Sequence, residues 1–198
     1  MATKPDVFII ESLDFDDEIN KRYEGRILSD ILALSGKRCE YYYIRTRKEL
    51  SHVLDFFTNS AYRYLHLSCH GNKTSMGTTL DTISFADFAA IIGPHLNNRR
   101  LFLSTCSMSN KDLAKLLIPH SGCYSILGPA ENVAFNDAAI LWASLYHVMF
   151  ACDAKVMKPA VLRSNAQSVA NLFRVPLNYF ARGPVGQEVI LRRIVPSV

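Results

Sequence analysis

Short, largely apolar runs constrain this chain more than any other feature. Val7-Phe-Ile-Ile10, Tyr62 to Leu67, Leu101-Phe-Leu103 and Cys123 to Leu127 each place apolar side chains at consecutive positions. A strand with one face in water alternates apolar and polar residues; a strand buried on both faces does not need to. The aromatic run Glu40 to Ile44 reads as a further strand.

Helical patterns lie between these runs. Ile19, Tyr23, Ile27, Ile31 and Leu34 recur at helical spacing and stop at Ser35-Gly36. Thr46 to Glu49 and Ser84 to Asp87 have the form of capping boxes that open the next two helices, the second of which stops at Gly93-Pro94. Ser107 to Asn110 supplies caps for a helix over 111–118, and Asn136-Asp137 is expected to cap a long apolar helix that reaches about Cys152. Lys158-Pro159 begins a helix with proline in its first turn, ending near Phe173. The tail, 177–181 and 188–191 about Gly183-Pro-Val-Gly186, reads as a hairpin or a pair of edge strands. Strands alternating with helices predict an α/β fold with a mainly parallel central sheet and helices on both faces. The whole chain, 1–198, is expected to form one domain.

Composition narrows the function classes. The chain is 49% hydrophobic and 20% charged, with a formal charge of +4, and its densest basic cluster is Arg45-Thr-Arg-Lys48. Nothing there calls for nucleic acid. The cysteines are Cys39, Cys69, Cys106, Cys123 and Cys152, an odd number with no Cys-x-x-Cys, so neither a disulfide framework nor a zinc site is expected. His95, His120 and His147 lack metal-ligand spacing, Gly122 to Gly128 is not a phosphate loop, and no Gly-x-Gly-x-x-Gly occurs. No metal or cofactor is expected. The run Ala138 to Cys152 is too short to span a bilayer, and the first residues lack a signal-peptide core. A cytoplasmic, reducing location without membrane contact is the expectation.

Two strand ends carry reactive groups. One runs through Tyr62 to Leu67 into Ser68-Cys-His-Gly71; the other ends Ser104-Thr-Cys106 before a capped helix. In a parallel sheet, ligands bind beyond the carboxyl ends of the strands, where His70 and Cys106 fall. An imidazole as general base and a thiol as nucleophile are the minimum apparatus of a cysteine hydrolase. A helix N-terminus facing Cys106 would favour the thiolate. Gly71 permits close approach of a substrate carbonyl, and its N–H together with that of Cys106 is the candidate oxyanion hole. A structural cysteine and a hydrogen-bonded loop histidine are the competing readings. His66 shares the strand face of His70 but lies deeper, and Cys69 points to the opposite face, so both read as structural. Asp14, Asp16, Asp17 and Glu18 read as a solvated charge run. Asp81, Glu131 and Asp137 read as caps or loop charges, with a pocket for a basic substrate side chain as the alternative.

The order of these motifs resembles the caspase-like cysteine peptidases, and within them the CHAT domain, a caspase–separase relative common in bacteria. The likeness rests on Ser68-Cys-His-Gly71, Leu101 to Cys106, Gly122 to Gly128, Asn136-Asp137 with its long helix, and the helix over 160–170. It implies a three-layer caspase-like sandwich and a cysteine endopeptidase acting on a protein substrate, with His70 as base, Cys106 as nucleophile and the Gly71 N–H on the oxyanion. The Gln-Ala-Cys-x-Gly signature of caspases is absent, so aspartate specificity is not implied. Control by a partner protein, autoprocessing or assembly is implied, as is an association with defence or programmed death. A catalytically idle module that binds partners is the alternative, and a flavodoxin-like or TIR-like binding domain is a third reading.

Overall fold

The computed structural model describes residues 3–152, 155, 157–183 and 188–197. In chain order these form β1 (Lys4–Ser12), α1 (Phe15–Ile19), α2 (Glu24–Leu34), β2 (Cys39–Tyr43), α3 (Arg47–Ser60) and β3 (Tyr62–Cys69). A short hairpin of β4 (Ser75–Gly77) and β5 (Thr82–Ser84) follows, then α4 (Phe85–Ile92) and β6 (Arg100–Ser104). The remainder is α5 (Lys111–Ser121), β7 (Ser125–Pro129), α6 (Phe135–Cys152), α7 (Pro159–Phe173), β8 (Leu177–Arg182) and β9 (Val189–Ile194).

The main sheet has the order β2-β1-β3-β6-β7-β8-β9. Its first five strands run parallel, and β8 and β9 add antiparallel. The predicted mainly parallel sheet is therefore present, and the C-terminal hairpin closes one side of it. Residues 184–187 of the expected turn lie outside the described residues.

Each buried strand feeds two cores, because successive side chains point to opposite faces. Leu65, Leu67, Leu101 and Leu103 pack into one core with Leu50, Leu54 and Phe57 of α3, Phe88 of α4 and Leu113 and Leu117 of α5. Tyr64, Phe102 and Leu127 pack into the other with Leu28 and Leu32 of α2, Leu141, Trp142 and Leu145 of α6, and Leu162 and Ala166 of α7. The first capping box forms in full and the second only by half, since Asp87 accepts from the Ser84 hydroxyl and not from its N–H. The Thr46 side chain accepts from the Glu49 N–H while the Glu49 carboxylate accepts from the Thr46 N–H, and Ser84 accepts from the Asp87 N–H.

Two expectations change. The helical pattern over Ile19 to Leu34 is split into α1 and α2, with Lys21 between them in a left-handed conformation (φ 56°). That break takes Ile19 out of register. The buried stripe of α2 is Gly25, Leu28 and Leu32, whereas Ile27, Ile31 and Leu34 face outward. Gly25 suits that face: a Cβ there would meet Ile9 at 3.0 Å and Glu11 at 3.2 Å, tighter than ordinary contact, so glycine eases the close approach of the helix to β1. Likewise α6 begins at Phe135, so Asn136 and Asp137 sit in its first turn rather than before it.

Phe102 lies at the centre of the second core, fully buried and stacked between Tyr64 (centroids 5.5 Å apart) and Trp142 (5.7 Å). Phe102→Ala is expected to cost about 3–5 kcal/mol of unfolding free energy. Urea unfolding with an unchanged m-value checks it.

Candidate active site

Three adjacent strands, β1, β3 and β6, end on the same side of the sheet, and each hands the chain to a functional group. The segment after β1 carries Asp17, His70 follows β3, and Cys106 lies two residues beyond β6. His70 and Cys106 line one cavity of about 60 Å³, walled by Pro129, Val133, Phe135 and Ala138 and floored by Glu24, Cys69, Ser104 and Thr105. The two residues expected on one open face are there together.

His70 is not a lone partner for the thiol. Its Nε2 lies 2.5 Å from Asp17 Oδ2 and 3.4 Å from Asp14 Oδ2. The other Asp17 oxygen accepts from Arg22 Nη1 at 2.6 Å, and the Phe135 ring packs edge-on against the His70 imidazole with centroids 5.6 Å apart. With the Nε2 proton donated to Asp17, Nδ1 is left as the basic nitrogen, and it makes no hydrogen bond within the described residues. The expectation of a solvated charge run thus fails at Asp17, which is only 3% exposed. Asp14 caps α1 by accepting the Asp17 N–H at 2.8 Å, and this turns the Asp17 carboxylate inward. Glu18 also departs from the run: it holds Arg45 at 2.6 Å and accepts from the Tyr43 hydroxyl. Asp14, Asp17 and His70 each bring one ligand atom to within 4.8 Å of the others, as a cation site would. The direct Nε2–Oδ2 hydrogen bond and the Arg22 ion pair already account for the Asp17 oxygens.

Cys106 is half-buried, its Sγ 4.0 Å from the Val133 carbonyl oxygen. It occupies a tight turn whose next residue, Ser107, has φ 58°. The helix beyond does not face the thiol with free N–H groups. It starts at Lys111, and Asn110 Oδ1 already accepts from the N–H groups of Asp112 and Leu113. The expectation that a helix N-terminus faces Cys106 is therefore not met: the N–H groups of the first turn of α5 are taken up by Asn110. The backbone N–H groups of Gly71 and Cys106 have no acceptor among the described residues; Cys106 lines the cavity, whereas Gly71 adjoins it through His70. A Cβ on Gly71 would lie 2.5 Å from Cγ and Sδ of Met108, so glycine is what lets the β3 loop and the Cys106 loop touch.

Beneath the cavity are two buried carboxylates that sequence reasoning missed. Glu24, the first residue of α2, accepts from Ser68 Oγ at 2.8 Å and Ser104 Oγ at 2.7 Å through Oε2; its Oε1 has no hydrogen bond and lies 3.6 Å from His66 Nε2. Glu11 accepts from the N–H groups of Gly25 and Arg26 and from the Tyr41 hydroxyl. His66 is fully buried against Trp142 and Tyr146, and Cys69 is buried in the opposite core, where burial drives its thiol far up in pKa. Asp81, Glu131 and Asp137 do not line the cavity. All three are exposed: Asp81 accepts from the Arg47 N–H, and Asp137 accepts from the Asn136 amide.

Neither a protein-family model nor a curated protein matches the sequence. Solved structures do match. A secreted C11 cysteine protease from Bacteroides thetaiotaomicron, iotapain, matches with a TM-score of 0.60 over 91% of this chain and 67% of its own, at 12% sequence identity. The fold is thus the caspase-like one, a mostly parallel sheet flanked by helices.

Burial raises the Glu11 carboxyl from 4.5 to about 7, against opposing hydrogen bonds from Tyr41 and the Gly25 N–H. The folded protein then holds this proton more tightly than the unfolded chain does. The associated stability is fully present below the unfolded value and is lost as the pH rises through the folded one. A change of that size corresponds to roughly 3 kcal/mol. Glu11→Gln is expected to flatten the fall in unfolding free energy between about pH 5 and about pH 8, measured by urea unfolding at each pH.

Proposed function

We propose that this protein is a cysteine endopeptidase acting on a protein substrate, with Cys106 as nucleophile, His70 as general base and acid, and Asp17 as the residue that positions His70. The observation that carries the reading is the hydrogen bond from His70 Nε2 to the buried Asp17 carboxylate, on the wall of the cavity that Cys106 shares. A histidine fixed in this way keeps one tautomer and one orientation, and the ion it becomes is stabilised by the carboxylate.

The chemistry follows from these groups. His70 Nδ1 takes the Cys106 proton, and the thiolate attacks the scissile carbonyl carbon. The carbonyl oxygen becomes an oxyanion received by the N–H groups of Gly71 and Cys106. As the tetrahedral species collapses, the C–N bond breaks and the imidazolium gives its proton to the departing amine. Water then attacks the thioester, His70 takes its proton, and release of the new carboxyl end regenerates the thiol.

The CHAT-type assignment, control by a partner protein and a role in defence or regulated death belong to the same proposal and rest on the sequence resemblance; a single domain over the whole chain rests on its length, and a cytoplasmic location on its cysteine usage. Among the described residues, no helix is long and apolar enough to cross a membrane.

The test is cleavage of a proteome-derived peptide library, read by mass spectrometry. Wild type is expected to cut, Cys106→Ala to be inactive, and His70→Ala to lose about 10²–10⁴-fold in rate. Asp17→Asn should lower kcat with little change in KM. Alkylation separates the thiols independently. Cys39, Cys69 and Cys123 have thiols raised by burial, so Cys106 and the exposed Cys152 should react first. Cys106 is expected to outpace Cys152 in wild type and to lose that lead in His70→Ala. Cutting that survives Cys106→Ala would sink the assignment, and a lead that survives His70→Ala would remove His70 as the base.

A further inference from the structure

At the opposite end of the sheet from Cys106, an arginine is buried with no counter-charge among the described residues. Arg100, the first residue of β6, is 5% exposed. Its guanidinium donates to Ser125 Oγ at 2.7 Å and to the Met157 carbonyl at 3.1 Å, while its Nε is buried with no hydrogen bond. Among the described residues no carboxylate lies within ion-pair distance of it. Burying a charge is costly unless it is paired, so a lone buried guanidinium signals a partner that arrives from outside.

The surroundings amplify that charge rather than balance it. Arg100 lines two adjoining grooves, which also share Tyr124 and Pro159, and among the described residues no acidic side chain lines either of them. The strand register runs from Arg100 through Ser125 and Ala181 to Ile190, and one step along, Tyr179 lies opposite Arg192. Arg192 therefore projects from the same sheet face as Arg100. Arg163 comes from α7 and lies over the Tyr179 ring at 5.7 Å, and Lys158 precedes the same helix. No side chain caps that fifteen-residue helix, and Lys158 and Pro159 at its start line the groove.

We propose that this groove is a binding site for a small phosphate-bearing ligand. Several guanidinium groups from separate elements converge on one space. A phosphate carries more charge and more acceptor oxygens than a carboxylate, so it can accept from several such forks at once. The Tyr124 ring, about half exposed and 5.8 Å from the Arg100 guanidinium, gives a flat apolar surface for whatever the phosphate is attached to. The site is remote from the cysteine chemistry and stands whether or not the protein is a peptidase.

Calorimetric titration of the full chain with inorganic pyrophosphate and with adenosine diphosphate tests this, alongside thermal unfolding with each. Saturable one-to-one binding of at least one probe is expected, with a rise in Tm. Arg163→Glu and Arg192→Glu should each weaken binding roughly tenfold or more. Lys48→Glu, an exposed change on α3 that lines neither groove, should leave it unchanged. Arg100→Lys, which keeps the charge but loses the fork, should also weaken binding; if that variant fails to fold, the two surface arginine variants decide. Pyrophosphate binding as tightly as the nucleotide makes phosphate itself the ligand, and a tighter nucleotide brings in Tyr124; both outcomes support the site. The proposal is overturned if neither probe saturates at millimolar concentration. It is also overturned if Lys48→Glu weakens binding as much as the groove variants, or if only a short oligothymidylate binds.

Discussion

Parallel strands deliver all of their carboxyl ends to one edge of a sheet, and the rest of this structure depends on that constraint. Because β1, β3 and β6 are neighbours, the loops leaving them must lie side by side. One brings a carboxylate, one an imidazole and one a thiol. Each follows a buried strand whose position is fixed by backbone pairing on both sides, and local structure then aims it: the Asp14 cap for Asp17 and the tight turn at Ser107 for Cys106. The glycine at 71 then sets how closely two of the loops approach, because any larger residue would collide with Met108.

The same edge has a polar floor. Glu24 ties the first turn of α2 to the last turns of chain in β3 and β6 through Ser68 and Ser104, and Glu11 holds the start of that helix through its N–H groups. A buried carboxylate is tolerated only when donors surround it, so these contacts fix where α2 lies relative to the three strand ends. Asp17, seven residues before α2 begins, is held by the Asp14 cap and its ion pair with Arg22. Packing energy in the two cores makes the sheet; the polar floor sets the alignment of the groups above it.

Much of the fold was legible because the signals are local. Consecutive apolar residues marked the central strands, capping boxes marked the helix starts at Thr46 and Ser84, and Lys158-Pro159 marked α7. His70 and Cys106 were legible because each stands at the end of such a strand. Asp17 was not. In sequence it is one acid among four, and only the pairing of β1 with β3 brings it under the imidazole. The available signal was the Asp14-x-x-Asp17 cap directly after β1, but strand order is needed to read it. Glu24 was hidden because the apolar spacing of Ile27, Ile31 and Leu34 pointed to the wrong face of α2, away from Gly25 and β1. Asp81, Glu131 and Asp137 drew attention as loop charges near the motifs, yet nearness along the chain did not bring them to the cavity.

The sheet ends in two unpaired borders, β2 and β9. An unpaired border is a template onto which a second chain can add a strand. On β9 the consecutive residues Arg192 and Arg193 point to opposite faces, so an incoming copy meets like charge on either side of the sheet. Paired strands lie about 4.8 Å apart, well inside the screening length of about 8 Å at physiological salt. The repulsion therefore acts at the distance where pairing would begin. Arginines on both faces disfavour strand addition at this border, and neutralising Arg192 would remove the charge from one of the two faces.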